Sequence, residues 1–281
     1  MRKNFVTIAI ILIFLVGLSV LLYPYVADFI NSRNQSKAVA SYREAVSNMS
    51  EQDLSGLREA ALEYNMSLSK KPDRFSPSED EHMEYNSLLN VTTSGIMGTL
   101  EIEAIDVSLP IYHGTSEGVL QVGIGHFEGS SLPIGGIGTH AVITGHRGLP
   151  SSTLLTNLDR MEIGDSFVLR VLNETLWYQV DQILVVEPHD LSALGMAPDK
   201  DYCTLITCTP YGINSHRMLV RGFRVDAPEP NTSTAPQTSV RAEANRVNAV
   251  LPLTVVLAPI TVILVSYKVI RFKIRKKKGT K

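Results

Sequence analysis

The sequence predicts a mainly β domain held between two membrane segments. From Gly98 to Val225, short apolar or alternating runs recur, and turn residues separate most of them. Regular short strands with few helices favour a closed barrel or a sandwich. On either side of this region, Phe5–Tyr23 and Ala249–Tyr267 are uncharged runs of 19 residues. Each is long enough to span a bilayer as a helix.

Nine runs in the central region have the length and pattern of strands. They are Thr99–Ile102, Val107–Ile111, Val119–Val122, Ala141–Thr144, Ser166–Leu172, Thr175–Val180, Gln182–Val186, Cys203–Thr207 and Arg217–Val225. The connection from Glu187 to Asp201 is long for a hairpin, and we expect a short helix in it around Leu191–Gly195. A long connection of this kind is a candidate wall for a substrate site.

Charge is distributed unevenly along the chain. Ten of the 26 basic residues lie before Asp28 or after Val247, where no acidic residue occurs. Because basic flanks stay in the cytoplasm, we expect both ends inside and residues 28–246 outside. The first apolar run is longer than a signal-peptide core and lacks a convincing cleavage site, which favours an uncleaved signal anchor. The acidic middle argues against a nucleic-acid partner.

The predicted organisation has five segments. They are a cytoplasmic tip with a transmembrane anchor (1–27), a helical extension with a loop at about 71–78 (28–97), the β-domain (98–226), a spacer containing Pro, Thr and Ser (227–247), and a second transmembrane helix with a basic cytoplasmic tail (248–281). Residues 36–66 carry apolar side chains at helical spacing. Ser50 and Asp53 form an N-terminal capping pattern within that stretch.

Cys208 is the candidate nucleophile. It lies where an apolar, β-branched run ends in the turn signal Thr-Pro-Tyr-Gly. The next predicted strand begins near Arg217, so a hairpin would bring Arg217 beside Cys208, and a neighbouring guanidinium stabilises a thiolate. Cys203 lies five residues earlier, on the opposite face of the same strand. We therefore interpret it as a small buried apolar residue without a disulfide to Cys208.

Seven histidines compete for the role of base. His82 and His189 occur in polar loops, His113 precedes a turn glycine, and His126 follows a glycine-rich strand end. His146 ends a strand and is bracketed by glycines, which leave room for close approach. On the residues alone, His140 and His216 remain alternatives to it. No recognisable metal or nucleotide motif occurs in the sequence.

The paired motifs resemble those of a known family. The stretch from Thr204 to Arg217 is similar to the Thr-Leu-x-Thr-Cys…Arg signature of sortases, and Thr144–Gly148 resembles their histidine segment. Two spanning segments and a long N-terminal extension are similar to class C, the pilin-polymerising sortases of Gram-positive bacteria. The resemblance implies an eight-stranded β-barrel. It also implies Cys208 as nucleophile, His146 as general acid and base, and Arg217 as the group that stabilises the substrate carbonyl or oxyanion.

The resemblance further implies an activity. Such an enzyme cleaves an LPxTG-like sorting motif between Thr and Gly through a thioester, and it transfers the acyl group to a lysine amine of another pilin subunit. The implied protein is a two-pass membrane protein with an extracellular, monomeric catalytic domain, pilin partners, and no metal or organic cofactor. Two alternatives stay open: a housekeeping sortase that attaches proteins to peptidoglycan, and a non-catalytic membrane-tethered adhesin or receptor.

Residues 71–78 have two interpretations. Two prolines in a polar setting indicate a linker, but Phe75 is isolated within it. Class C sortases often carry a lid with an Asp-Pro-aromatic motif, which Asp73-Arg74-Phe75 resembles except that Arg74 replaces the proline. This resemblance implies that Asp73 pairs with Arg217. It also implies that Phe75 covers the Cys208 sulfur, a contact worth roughly 0.3–1.5 kcal/mol.

Overall fold

The computed structural model describes residues 2–227 and, for residues 2–6 and 9, the backbone alone. The predicted spacer, second span at Ala249–Tyr267 and basic tail lie outside the described residues.

The described chain contains four α-helices and eight strands. The helices are α1 (Arg2–Ser47), α2 (Glu51–Leu68), α3 (Glu79–Ser87) and α4 (Glu117–Val122). The strands are β1 (Ile96–Ile102), β2 (Val107–His113), β3 (Ile124–His126), β4 (Thr139–Thr144), β5 (Ser166–Val171), β6 (Glu174–Val186), β7 (Asp201–Thr209) and β8 (His216–Val225). Single 3₁₀ turns form at Glu103–Ile105, Leu158–Arg160 and Ser192–Leu194.

The eight strands close into a barrel in the order β1-β2-β3-β4-β7-β8-β6-β5. This confirms the predicted eight-stranded barrel. Most neighbours are antiparallel, but β4 pairs with β7 in parallel, as β2 does with β3. The parallel β4–β7 pair matters for the site, because it brings the carboxyl ends of two distant strands to the same edge of the barrel.

Two strand predictions were wrong. Val119–Val122 belongs to helix α4, and the strand of this region is the following Ile124–His126. Periodicity alone does not distinguish a short apolar run in a strand from one in a helix. Thr175–Val180 and Gln182–Val186 form one strand, β6, whose register shifts at Asp181. The Asp181 carboxylate accepts two hydrogen bonds from Arg221 at this bulge.

Helix α1 joins the predicted anchor to the extension without a break, and Pro24 lies within it. From Ile10 onward the helix is long and apolar enough to cross a membrane, with a mean hydropathy of 2.5 in its most apolar window, none of which is buried. The predicted helical region 36–66 thus begins inside α1. The predicted cap is confirmed, because the Ser50 side chain accepts a hydrogen bond from the Asp53 amide at the start of α2.

The barrel wall has two apolar faces. The inner face forms the main core, to which β7 contributes Cys203 and Leu205. The outer face carries a second, smaller group of side chains that we call the outer cluster. Its members are Val142, Leu194 and Leu219, with the partly buried Phe75, Phe127, Leu184, Val186, Ala193 and Ile206. A strand can supply both faces because successive side chains point in opposite directions.

Candidate active site

The β7–β8 hairpin pairs Cys208 directly with Arg217. Their Cα atoms are partners in the antiparallel ladder, one step before the hairpin loop. Cys208 is a free thiol and is partly exposed, whereas Cys203 is fully buried. Burial raises the pKa of the Cys203 thiol well above its usual value. The two cysteines of the chain therefore differ in solvation, and Cys208 is the one that a substrate can reach.

The parallel β4–β7 ladder places His146 on the other side of Cys208. Its last strand pair is Thr144 with Ile206. Beyond it, the Gly145 amide donates to the Ile206 carbonyl at 3.0 Å, and the Thr207 hydroxyl donates to the Gly145 carbonyl at 2.9 Å. Continued one further step, this register brings His146 level with Cys208. Cys208 therefore lies between His146 and Arg217, which belong to its two neighbouring chain segments.

Alternation along the strands puts this site on the outer face of the barrel. Cys208 follows Ile206 by two residues, and Arg217 precedes Leu219 by two, so each shares a face with a member of the outer cluster. The outer cluster therefore forms an apolar surface that leads up to the thiol. Its central members, Val142, Leu194 and Leu219, are at most 4% exposed, so the other side chains of the cluster cover them.

The His146 ring is positioned but not fully hydrogen-bonded. Its side chain is 25% exposed, and its Nε2 atom lies 3.5 Å from Oε1 of Glu117 on α4. Within the described part of the chain, Nε2 has no hydrogen-bond partner. The pKa of Glu117 is lowered, first by the hydrogen bond from Gln121 and then by the charge of a protonated His146. Nε2 is thus a buried atom whose nearest polar neighbour is the Glu117 carboxylate, beyond the usual length of a hydrogen bond.

The competing histidines are engaged elsewhere. His140 is buried, with Nδ1 at 2.8 Å from the Gly195 carbonyl and Nε2 at 2.7 Å from the Thr204 hydroxyl. His126 is also buried, between Tyr85 and the Ser131 carbonyl. Burial lowers the pKa of both histidines to about 4. His216 contacts Ser215 and lies 3.3 Å from Glu187, so its ring is engaged with polar neighbours outside the β4–β7 ladder.

The Arg217 guanidinium is held locally. Nη1 donates to the carbonyl oxygens of Asn214, at 3.3 Å, and His216, at 3.1 Å. Among the ion pairs of residues 2–227, none joins Arg217 to Asp73. Asp73 is exposed and accepts a hydrogen bond from the Ser76 amide through its carbonyl. The remaining donors of the Arg217 fork are thus open to a ligand.

Sequence reasoning missed Arg147, which ties the two active-site loops together. Its side chain is only 8% exposed and forms an ion pair with Asp159. The same guanidinium donates to the Thr209 hydroxyl at 3.4 Å and lies 5.9 Å from the centre of the Tyr211 ring. A charged residue directly after His146 was the available signal, but nothing in the sequence named its partners. Arg147 therefore fixes the loop after β4 against the loop after β7.

Phe75 rests on the outer cluster. Its ring centre is 5.5 Å from that of Phe127, and it packs with the apolar side chains that lead up to Cys208. The backbone approaches closely as well, since a Cβ atom on Gly129 would lie 2.2 Å from the Arg74 carbonyl oxygen. Gly129 has a φ of +87°, which also favours glycine. The loop at 71–78 is thus docked against the barrel.

Arg74 supplies a contact that a proline could not make. Its Nη2 atom donates to the Leu194 carbonyl at 2.7 Å, and its guanidinium lies 4.4 Å from the Phe75 ring centre. Burial lowers the pKa of Arg74. Leu194 belongs to the long connection between β6 and β7, so Arg74 links the loop at 71–78 to that connection. A side-chain hydrogen bond here takes the place of the fixed backbone angle that proline would provide.

Helix α3 secures the other end of the loop. Ser78 and Glu81 form a capping box, in which each side chain bonds the other residue's backbone amide. Lys71 bonds the Glu81 carboxylate at 2.6 Å. This lysine, followed by the Ser78 amide and hydroxyl, lowers the pKa of Glu81 to about 2. The Glu81 carboxylate therefore bonds both ends of the loop, at Lys71 and at Ser78.

Comparison with known proteins identifies the family. The model of the sortase domain matches residues 100–225. The crystal structure of sortase C1 from Streptococcus agalactiae is 49% identical, with a TM-score of 0.66, and the match covers 68% of this chain and 99% of that one. Streptococcus pneumoniae sortase C is 45% identical with a TM-score of 0.61, covering 69% and 99%. Sortase D of Bacillus subtilis strain 168 is 28% identical over 174 residues, covering 60% and 82%.

The chain belongs to the sortase family, because it is 49% and 45% identical to two sortase structures that it covers almost completely, and its closed eight-stranded barrel and sortase-domain match agree with them. Class C sortases from streptococci and Actinomyces are among its solved structural matches, at 40–49% identity, and the chain belongs with that class. The family and the apolar part of α1 together indicate membrane anchoring.

Proposed function

We propose that this protein is a membrane-anchored cysteine transpeptidase that cleaves an LPxTG-like sorting motif between Thr and Gly. One observation supports the proposal: the partly exposed Cys208 pairs directly with Arg217, and the parallel β4–β7 register, continued two residues beyond Thr144, brings His146 level with Cys208. An imidazole and a guanidinium beside a thiol favour the thiolate, which is the form that attacks a carbonyl carbon in nucleophilic acyl transfer.

Each residue has one role in the proposed reaction. The Cys208 thiolate attacks the Thr carbonyl carbon, and Arg217 donates hydrogen bonds to the oxygen that becomes negatively charged. The Thr–Gly C–N bond then breaks, and His146 gives a proton to the departing glycine amine. The product on the enzyme is a thioester. A lysine amine attacks this thioester, His146 accepts a proton from it, and an isopeptide bond forms while the thiolate leaves.

Pilin subunits are the proposed substrates: one subunit supplies the sorting motif, and another supplies the lysine that accepts the acyl group. Supporting this choice, the similar Streptococcus pneumoniae sortase C is described in terms of pilin substrate specificity. We further propose that the chain crosses the cell membrane twice, with a monomeric catalytic domain outside. In this proposal, residues 71–78 act as a lid, and Asp73 and Phe75 belong to it.

Mass spectrometry of the full chain, reconstituted in lipid and mixed with an LPxTG-type peptide, tests this proposal. We expect wild-type protein to gain the mass of the peptide up to Thr, and Cys208→Ala to gain nothing. Addition of a lysine-bearing pilin should then release that mass as an isopeptide product. Peptide cleavage by Cys208→Ala would contradict the proposal. Transfer to a peptidoglycan amine in preference to the pilin lysine would favour the housekeeping alternative, and an unreactive wild type would favour an adhesin.

A further inference from the structure

Helix α1 runs from the apolar anchor directly along the barrel and contacts it at successive levels. Lowest is Asp28, whose carboxylate accepts hydrogen bonds from the Thr153 amide and hydroxyl. Next are Asn31, bonded to the Ser151 carbonyl, and Gln35, bonded to the Ser152 hydroxyl and the Val122 carbonyl. These contacts fix which end of the barrel lies nearest the anchor.

Tyr42 marks the upper level. Its hydroxyl donates to the Met97 carbonyl and accepts from the Leu172 amide, in β1 and after β5. At 1.5 Å of rise per residue, Tyr42 lies about 21 Å farther along the helix than Asp28. Asp28 itself lies only about 7.5 Å beyond Tyr23, the last residue of the uncharged run, which is roughly the depth of one headgroup layer. With Tyr23 at the boundary of the hydrocarbon and α1 along the bilayer normal, the loop at residues 149–153 lies at the height of the lipid headgroups.

The candidate active site lies at this same end. The loop at 149–153 follows His146 in sequence, and it lies near the β7–β8 loop, residues 210–215, which begins two residues after Cys208. The two loops touch, since a Cβ atom on Gly148 would lie 2.9 Å from the Tyr211 ring. The lower end of the barrel is thus the end that carries the nucleophile.

The β7–β8 loop has the composition of a membrane-interface segment. Residues 210–215 carry no charge, and the neighbouring segment between Arg147 and Asp159, which includes the loop at 149–153, carries none either. Tyr211 is 61% exposed and Ile213 is 72% exposed. On α1, Tyr23 and Tyr25 are also exposed, at 60% and 68%. Tyrosines concentrate where lipid tails meet headgroups. The exposed tyrosines of α1 and of the β7–β8 loop are therefore both typical of a membrane interface.

We propose that the β7–β8 loop docks on the lipid surface, with Tyr211 and Ile213 inserted at the headgroup level, so that the active-site end of the barrel faces the membrane. The occupant of this exposed loop is lipid because α1 is both the anchor and the support of the adjoining loop. The inference concerns the orientation of the barrel alone and does not depend on the proposed transpeptidase activity.

Depth measurement with a spin label tests this orientation in the full chain. Ile213→Cys would be labelled in the Cys208→Ala background, where the remaining Cys203 is fully buried. The protein would be reconstituted in phosphatidylcholine–phosphatidylglycerol vesicles, and label collisions would be measured with oxygen, which enters lipid, and with a nickel chelate, which stays in water. The matched control is Ile137→Cys, at a residue that is 75% exposed and precedes β4 at its opposite end.

We expect the oxygen-to-nickel collision ratio to be several-fold higher at 213 than at 137. Equal ratios at the two positions would overturn the proposal. A fall in both collision rates at 213 would show that protein, such as a second copy, covers the loop, and this too would overturn it. A label at Asn214→Cys provides a second reading, because adding Ile213→Asp should lower its ratio to the control value. An unchanged ratio there would also count against lipid docking.

Discussion

One histidine lies within strand β4 and another lies just beyond its end, and they differ in burial and in hydrogen bonding. His140, near its start, is buried, and both ring nitrogens have partners in Gly195 and Thr204. His146, just beyond its end, is partly exposed, and its Nε2 atom has no hydrogen bond within the described chain. The parallel partner strand sets Tyr202 opposite His140 and, at the other end, brings Cys208 level with His146.

The comparison shows that one strand separates a structural role from a candidate catalytic one. A histidine whose two nitrogens are both bonded holds elements together, and here His140 ties β4 to β7 and to the β6–β7 connection. A histidine with a free nitrogen beside a thiol can move a proton. Comparing alanine variants of the two histidines should therefore separate loss of activity, expected at His146, from loss of stability, expected at His140.

The largest effect is expected from His146→Ala. Loss of a positioned general acid and base typically costs about 10²- to 10⁴-fold in rate, so kcat/KM for an LPxTG-type peptide should fall by that factor. The melting temperature should fall less than in His140→Ala, because Nε2 of His146 makes no hydrogen bond within the described residues, whereas both ring nitrogens of His140 do. His140→Ala is the matched control, with lost stability and largely retained kcat. Equal loss of activity in the two variants would contradict the separation.

The second largest effect concerns pH and the buried histidines. The pKa of His140 and of His126 is about 4 in the folded protein, below the value of about 6.5 in an unfolded chain. The unfolded chain therefore binds more protons between these values, and the free energy of unfolding falls as pH drops from 6.5 towards 4. At pH 5 each histidine should account for about 2 kcal/mol of this loss.

Denaturant unfolding at pH 7 and pH 5 measures this loss. The variant His140→Gln, compared with wild type, should show a smaller change between the two pH values, even though it is less stable at both. An identical change in wild type and variant would mean that His140 titrates normally in the folded protein.

A smaller effect is expected from the lid. Phe75→Ala removes the ring that packs on the outer cluster. The proposed contact of this ring with the Cys208 sulfur, worth roughly 0.3–1.5 kcal/mol, corresponds to about a two- to twelve-fold change. The rate of Cys208 alkylation by a small reagent should rise by that amount. Met83→Ala, at an exposed residue of α3 in the same extension, should leave the rate unchanged. If Phe75→Ala behaves like Met83→Ala, residues 71–78 are only a linker.

The smallest effect is expected from Glu117→Gln. The carboxylate lies 3.5 Å from His146, but its side chain is 71% exposed, and solvent screens exposed ion pairs so that they contribute little. Peptide cleavage at neutral pH should change by less than about five-fold. A loss as large as that of His146→Ala would assign Glu117 a direct part in the reaction.

Local features were predictable, and distant pairings were not. The approach of Cys208 and Arg217 follows from a hairpin whose two strands are adjacent in sequence, so chain pattern alone indicated it. His146 is some sixty residues from Cys208, and its position depends on the parallel register of β4 and β7, which no local pattern specifies. For this reason the residues alone left His140 and His216 open, and the family resemblance was needed to choose.

Other outcomes follow the same rule. The Ser50 cap was predicted because it acts within one helical turn. The short apolar run at 119–122 was misassigned because four residues fit either period. The hydrogen bond from Arg74 to Leu194 and the contacts of Arg147 join segments that are distant in sequence, so only the fold reveals them.

The rate of Cys208 alkylation, followed across about pH 5 to 9 in wild type, His146→Ala and Arg217→Ala, tests the central claim most directly. If His146 and Arg217 act on the thiol between them, the wild type reacts readily at neutral pH. Each variant then reacts about ten-fold or more slowly there and approaches the wild-type rate only in alkali. Three superimposable profiles would show that the thiol reacts without its neighbours, and would contradict the account.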